Sequence, residues 1–149
     1  MPRFWYVWVL FWIMPPQQLQ AGEDIAVIIH RDAAQTTITQ EKVKRIFLRK
    51  KLFWEDGKRV IPVNLPVDHA LRQNFSRTIL GKSPEDLNEY WNCQYFHGIS
   101  PPYVLASEAA VLQFVATTPG AIGYIGDSKI TGQVRVLFIF SSSTNEAEP

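Results

Sequence analysis

Val60-Ile61-Pro62-Val63-Asn64-Leu65-Pro66-Val67-Asp68 joins two kinds of structure in nine residues. Val60 to Val63 is short, apolar and rich in β-branched side chains, the composition of a strand, and Pro62 points to an edge or a strand end. Asp68 then caps a helix whose apolar positions are Leu71, Phe75 and Ile79, and Gly81 ends it. A strand that runs through a short loop into an amphipathic helix is the building step of an α/β domain.

The same step repeats outward from this point. Upstream, Ile25 to Ile29 is an apolar run that reads as a strand buried on both faces. Thr39 caps a helix through Lys50, with Val43, Ile46 and Phe47 on one buried face. Glu55-Asp56-Gly57 is a turn. Downstream, Ser83-Pro84-Glu85-Asp86 predicts a helix start, with Leu87, Tyr90 and Trp91 as its packing face. Gly98 to Tyr103 reads as a loop. Ser107 caps a helix carrying Val111, Leu112, Phe114 and Val115, which Pro119-Gly120 ends. Ala121 to Ile125 and Val134 to Phe140 are the last strands. The predicted order is strand, helix, strand, three helices, two strands, an α/β fold.

The ends of the chain read differently. Arg3 precedes an unbroken apolar run from Phe4 to Met14 that includes Trp5, Trp8 and Trp12. A spanning helix needs roughly 20 apolar residues, so this run is too short to cross a bilayer. Pro15-Pro16 stops it, and Leu19-Gln20-Ala21 offers a cleavage point. Residues 1–21 therefore read as a secretory signal peptide, 22–140 as the folded domain and 141–149 as a polar, flexible tail. The expected location is periplasmic or secreted.

Composition excludes several function classes. Lys plus Arg number fifteen against fourteen Asp plus Glu, so no global field selects a nucleic acid or an anionic membrane. The largest charge feature, Lys42 to Arg59, alternates cations with Phe47, Phe53 and Trp54. It reads as the solvated face of an amphipathic helix with its aromatics packed inward, a face that also suits an acidic protein partner. A single cysteine, Cys93, excludes an intramolecular disulfide framework and a multi-cysteine zinc site. Tyr90, Trp91 and Tyr95 around it favour a buried structural thiol. His30, His69 and His97 lack paired ligand spacing, so no metal site is expected. Gly81-Lys82-Ser83 ends like a phosphate-binding loop, but it follows a helix and Ser76 stands where the first glycine belongs. No Gly-x-Ser-x-Gly occurs, and Cys93 with His97 lacks an orienting third group. No enzyme and no cofactor is expected.

One place suits an anion. Free backbone N–H groups at a helix start that follows a strand end form an oxyanion cradle. Here that segment is Asn64 to Arg72. Asp68 opposes the use: as the cap it satisfies those N–H groups itself, and its charge repels an anion.

Ile46-Phe47-Leu48-Arg49-Lys50, Trp54-x-Asp56-Gly57 and Val60-Ile61-Pro62-Val63, followed by Thr118-Pro119-Gly120-Ala121-Ile122-Gly123-Tyr124, resemble the phosphate-binding components of ABC transporters, in order and in spacing. The resemblance spans about residues 25–126. It implies one lobe of a type 2 periplasmic-binding-protein fold, a mixed sheet flanked by helices, exported and non-enzymatic. Trp54 and Phe47 are expected as packing anchors, and Gly120 and Gly123 as points of tight turn and close approach. Full-length members close two lobes around the ligand, and this chain has room for about one, so a second lobe or a homodimer would supply the other wall. The family's R-x-D-x-S-G-T contact segment aligns with Leu65, Val67, His69, Ala70 and Leu71, which lack its charge and hydroxyls. The candidate ligand residues are therefore Asn64, Asp68, His69, Ala70 and Arg72, with His69 and Arg72 as the cations. The expected ligand is phosphate or another small anion, in an ABC-transport or sensing context. The alternative is a ligand-free interaction module on the same fold, meeting a membrane transporter or sensor through its basic face, Lys42 to Lys51, or through the loop Gly98 to Tyr103.

Overall fold

The computed structural model describes residues 22–141. The expected signal peptide and residues 142–149 of the expected tail lie outside the described residues. The elements are β1 (Ile25–His30), α1 (Gln40–Phe47), β2 (Ile61–Asn64), α2 (Ala70–Phe75), α3 (Asn88–Phe96), β3 (Tyr103–Val104), α4 (Glu108–Thr117), β4 (Ala121–Gly126) and β5 (Val134–Phe140). A π-helical turn, Ser76–Leu80, prolongs α2. A 3-10 turn, Asp127–Lys129, follows β4.

The strands form one mixed sheet in the order β3-β2-β4-β1-β5. β2 runs parallel to β3 and β4, while β1 runs antiparallel to β4 and β5. Two neighbouring residues of β4 show that both faces are covered, because successive side chains point to opposite faces. Gly123 faces α4, where a Cβ would lie 2.7 Å from Val111 and 3.0 Å from Val63. Tyr124 faces α1 and α2: its ring stacks on Phe75 with centroids 3.9 Å apart and tilts against Phe47. Strands covered on both sides must be apolar throughout. Ile25 to Ile29 are fully buried, as their continuous apolar run predicts.

The α/β class and the order of the main elements follow the sequence, with a short unexpected strand, β3, between α3 and α4, and several boundaries differ. α1 ends at Phe47, not Lys50, because Arg49 takes a left-handed φ of 60°. Its cap is Thr39, whose Oγ1 accepts from the Lys42 N–H, and its buried face is Val43, Ile46 and Phe47, both as expected. α2 is capped by His69 rather than Asp68; the His69 Nδ1 accepts the Leu71 N–H at 3.2 Å, and Asp68 is exposed. The Ser83 hydroxyl accepts the Asp86 N–H, closing a turn, and α3 begins only at Asn88. The loop from Gly98 ends in a two-residue strand that pairs Tyr103 with Val63 and Val104 with Asn64.

Pro62 sits inside the sheet. The Ile61 N–H donates to Gly120 on the β4 side. Alternation turns the Pro62 nitrogen to the other side, where β3 pairs only with Val63 and Asn64, so no ladder bond is lost. Two burial expectations fail, one for an aromatic ring and one for a thiol. Phe53 is 53% exposed, on a bridge to Arg59 outside the core. Cys93 is exposed, because α3 carries no buried residue and rests on half-buried Tyr90 and Trp91. Neighbours in sequence point around a helix in different directions, so an aromatic-rich stretch does not by itself bury a thiol.

Candidate functional site

Strand direction gathers one edge of the sheet. β2, β3 and β4 all end there, at Asn64, Val104 and Gly126, and β1 begins there, since Ile25 pairs with Gly126. α2 follows β2 and α4 follows β3, so both helices start at this edge. In α/β sheets this carboxyl edge is where ligands collect.

The sequence-predicted residues divide into three groups here. Asn64 and Arg72 turn inward. The Tyr124 hydroxyl donates to Asn64 Oδ1 at 3.0 Å and lies 3.4 Å from the Leu65 N–H. The Arg72 Nη1 donates to the Leu65 carbonyl at 3.1 Å, while its buried Nε has no partner. Burial pushes the Tyr124 phenol well above its ordinary pKa, more than the nearby Arg72 charge lowers it, so it stays a neutral donor. His69 instead faces α4, its Nε2 3.7 Å from Glu108 Oε1. Asp68 and Ala70 are exposed. The edge thus brings Asn64 and Arg72 together through Tyr124 and Leu65, and leaves Asp68 and Ala70 exposed.

Glu108, Gly126 and Lys129 also shape this edge, and sequence reasoning missed them. Glu108 lies in the first turn of α4, behind the Ser107 cap. Its residue is 9% exposed, yet its carboxylate is fully engaged. Oε2 accepts the Gly126 N–H at 2.7 Å, and Oε1 accepts the Lys129 ammonium at 2.6 Å. Burial alone would raise this carboxyl, but the Gly126 N–H, Lys129 and the His69 ring outweigh it and hold the pKa below the usual value. Lys129 is raised in turn, chiefly by its bond to Glu108. Glu23 completes the cluster: it lies 3.7 Å from Lys129, and the Ser128 hydroxyl donates to it. An acid in the first turn of a helix is ordinary dipole chemistry, so nothing in the sequence marked Glu108 out.

The motifs that carry the family resemblance lie at the opposite edge. The Trp54 Nε1 donates to the Gly120 carbonyl at 3.0 Å. Gly120 has φ +86°, and a Cβ there would lie 2.4 Å from the Arg59 carbonyl oxygen. These residues tie the loop after α1 to the start of β4, which bears out the anchoring role expected of Trp54 and Phe47 and the close approach at Gly120 and Gly123. A hollow of about 210 Å³ opens beside them, between His30, Asp32, Trp54, Asp56 and Gly120.

The basic stretch is partly neutralised from within. Lys42 bonds to Glu55, Lys51 lies 3.4 Å from the same carboxylate, and Lys58 lies 3.5 Å from Asp56. The Lys42 bond holds the Glu55 carboxyl down to about 2. The Cys93–His97 pair does not form a nucleophile and base: the His97 Nδ1 meets the Cys93 backbone oxygen at 2.9 Å. Among the described residues there is no group of three or more side chains placed to hold a metal ion, and no helix long and apolar enough to cross a membrane.

No family model matches this chain, and no curated protein matches it by sequence. Solved structures do match. A protein described as a phosphate ABC transporter substrate-binding protein with bound phosphate, from Clostridium perfringens, superposes with a TM-score of 0.65 at 21% identity, over 78% of this chain and 45% of its own. An ABC-type phosphate transport receptor from Vibrio cholerae gives 0.63 at 16%, over 78% and 46%. PstS from Borrelia burgdorferi gives 0.61 at 18%, over 87% and 50%. The chain spans about half the length of the solved structures it matches. Its mixed five-stranded sheet flanked by helices is the fold of a single lobe of such substrate-binding proteins.

Proposed function

We propose that this chain is a non-enzymatic solute-binding lobe that takes a small anion, phosphate first among the candidates, at the edge built by Asn64, His69 and Arg72. The observation that carries the reading is Arg72. Its guanidinium is buried, bonds to the neutral Leu65 carbonyl, and has no carboxylate partner among the described residues. A buried cation without a counter-charge is costly, and a small anion at this edge would offset that cost. The neighbouring folds in which phosphate is the ligand support the same choice. One lobe leaves the ligand half solvated, so a second lobe or a second copy would supply the other wall. Calorimetric titration of the full chain with phosphate, sulfate and small carboxylates tests this. Heat that disappears in Arg72→Met is expected, and no heat at millimolar ligand overturns the reading.

The setting follows from the same proposal. Residues 1–21 act as an export signal, and the mature chain begins at Gly22 in the periplasm or outside the cell, where it serves transport or sensing. Mass spectrometry of the exported protein checks the new N-terminus.

A second reading, a ligand-free interaction module, is favoured by one observation. α3 and the loop after it leave Tyr95, Phe96 and Tyr103 between 69% and 87% exposed. The partner is then a membrane transporter or sensor, meeting this aromatic surface or the basic face. Charge reversal at Lys42, Lys44 and Arg45 that leaves partner capture unchanged counts against the basic face.

A further inference from the structure

We propose that Glu108 is a built-in ligand: its carboxylate occupies an oxyanion seat made by the Gly126 N–H, the Lys129 ammonium and the His69 Nε2, and an external oxyanion enters only by displacing it. The inference rests on the reading of this edge as an anion site, and it adds the regulation of that site.

The contacts carry the argument. A main-chain N–H at 2.7 Å, an ammonium at 2.6 Å and an imidazole nitrogen at 3.7 Å are the donor types that hold free carboxylates and phosphates. They converge at the carboxyl ends of β2 and β4, where this architecture places ligands. Gly126 helps by lacking a side chain: a Cβ there would come within 2.1 Å of the Glu23 carboxyl group. Among the described residues Glu23 also faces the seat, sharing Lys129 at 3.7 Å. A tethered carboxylate is held at high local concentration, so an external anion competes against it at a disadvantage.

The test uses full chains carrying Glu108→Ala and Glu108→Gln beside the unchanged protein, at constant ionic strength. Phosphate is titrated by calorimetry, and melting is followed with acetate against chloride. At least tenfold tighter phosphate binding in Glu108→Ala is expected, with acetate raising its melting temperature and leaving the unchanged protein alone. Glu108→Gln, which keeps the shape and loses the charge, moves in the same direction and serves if Glu108→Ala does not fold. Folded variants that bind phosphate no tighter and gain nothing from acetate overturn the proposal. Two outcomes separate it from the anion reading itself. Equal binding in all three proteins, lost only in Arg72→Met, removes the built-in ligand and keeps the anion site. Binding confined to the Glu108 variants keeps the built-in ligand and removes anion capture by the unchanged chain.

Discussion

A methyl group added at Gly123 has nowhere to go: it would lie 2.7 Å from Val111 and 3.0 Å from Val63, in the plane where α4 meets the sheet. Overpacking of this kind costs about 1–3 kcal/mol. Gly123→Ala should lower the urea midpoint accordingly, with an unchanged slope. Glu108 gives a second prediction at this scale. Its folded pKa lies below the ordinary carboxylate value, so its contribution to stability is full above about pH 4.3 and is lost as pH falls through the folded value. At pH 7, Glu108→Gln should be less stable than the unchanged chain by about 1–2 kcal/mol. The gap should narrow below about pH 4.3, as read from denaturation curves across pH. Residue identity also shows where prediction stopped. The Thr39 cap and the buried Phe47 are set by local chemistry and were legible, whereas Trp54 and Gly120 were legible only through the family motifs, since they meet across 66 residues. His69 as a cap, with its Nδ1 standing in for a hydroxyl, was not, because Asp68 beside it is the stronger capping residue in isolation.

At the level of elements, capping and termination decide length. α1 is capped by Thr39 and α4 by Ser107, each accepting a backbone N–H three residues on. Thr39→Ala and Ser107→Ala should each cost about 1 kcal/mol, measurable as a lower melting temperature. Ser107→Ala carries more consequence, since it loosens the turn that aims Glu108 at Gly126. α3 shows the limit of pattern reading. Its sequence holds Tyr90, Trp91, Tyr95 and Phe96, yet none is buried, because the aromatics are distributed around the helix rather than along one stripe. β3 was hidden for a related reason. Two residues after Pro101-Pro102 carry no strand periodicity, and pairing with Val63 and Asn64 makes them a strand.

For the molecule as a whole, one core spans both faces of one sheet, from Val43 and Phe47 of α1 through Tyr124 to Val111 and Val115 of α4. Shared packing of this kind implies a single cooperative transition. Unfolding followed by far-UV circular dichroism and by tryptophan fluorescence should coincide, with Trp54, at 4% exposure, as an interior reporter. At the carboxyl edge of this sheet Arg72 turns inward to the Leu65 carbonyl, and Glu108 accepts the Gly126 N–H.

The sequence by itself determined the α/β class, the order of the main elements, the Thr39 cap and the buried run of β1. Those follow from periodicity, capping and turn chemistry, which act over a few residues. Only the tertiary structure decided which groups meet at the carboxyl edge. Glu108, Gly126 and Lys129 reach His69 across 39 to 60 positions of chain. Asn64 and Tyr124 bond across a separation of 60. Contacts of that range are set by strand order and register, and no local pattern of residues encodes them.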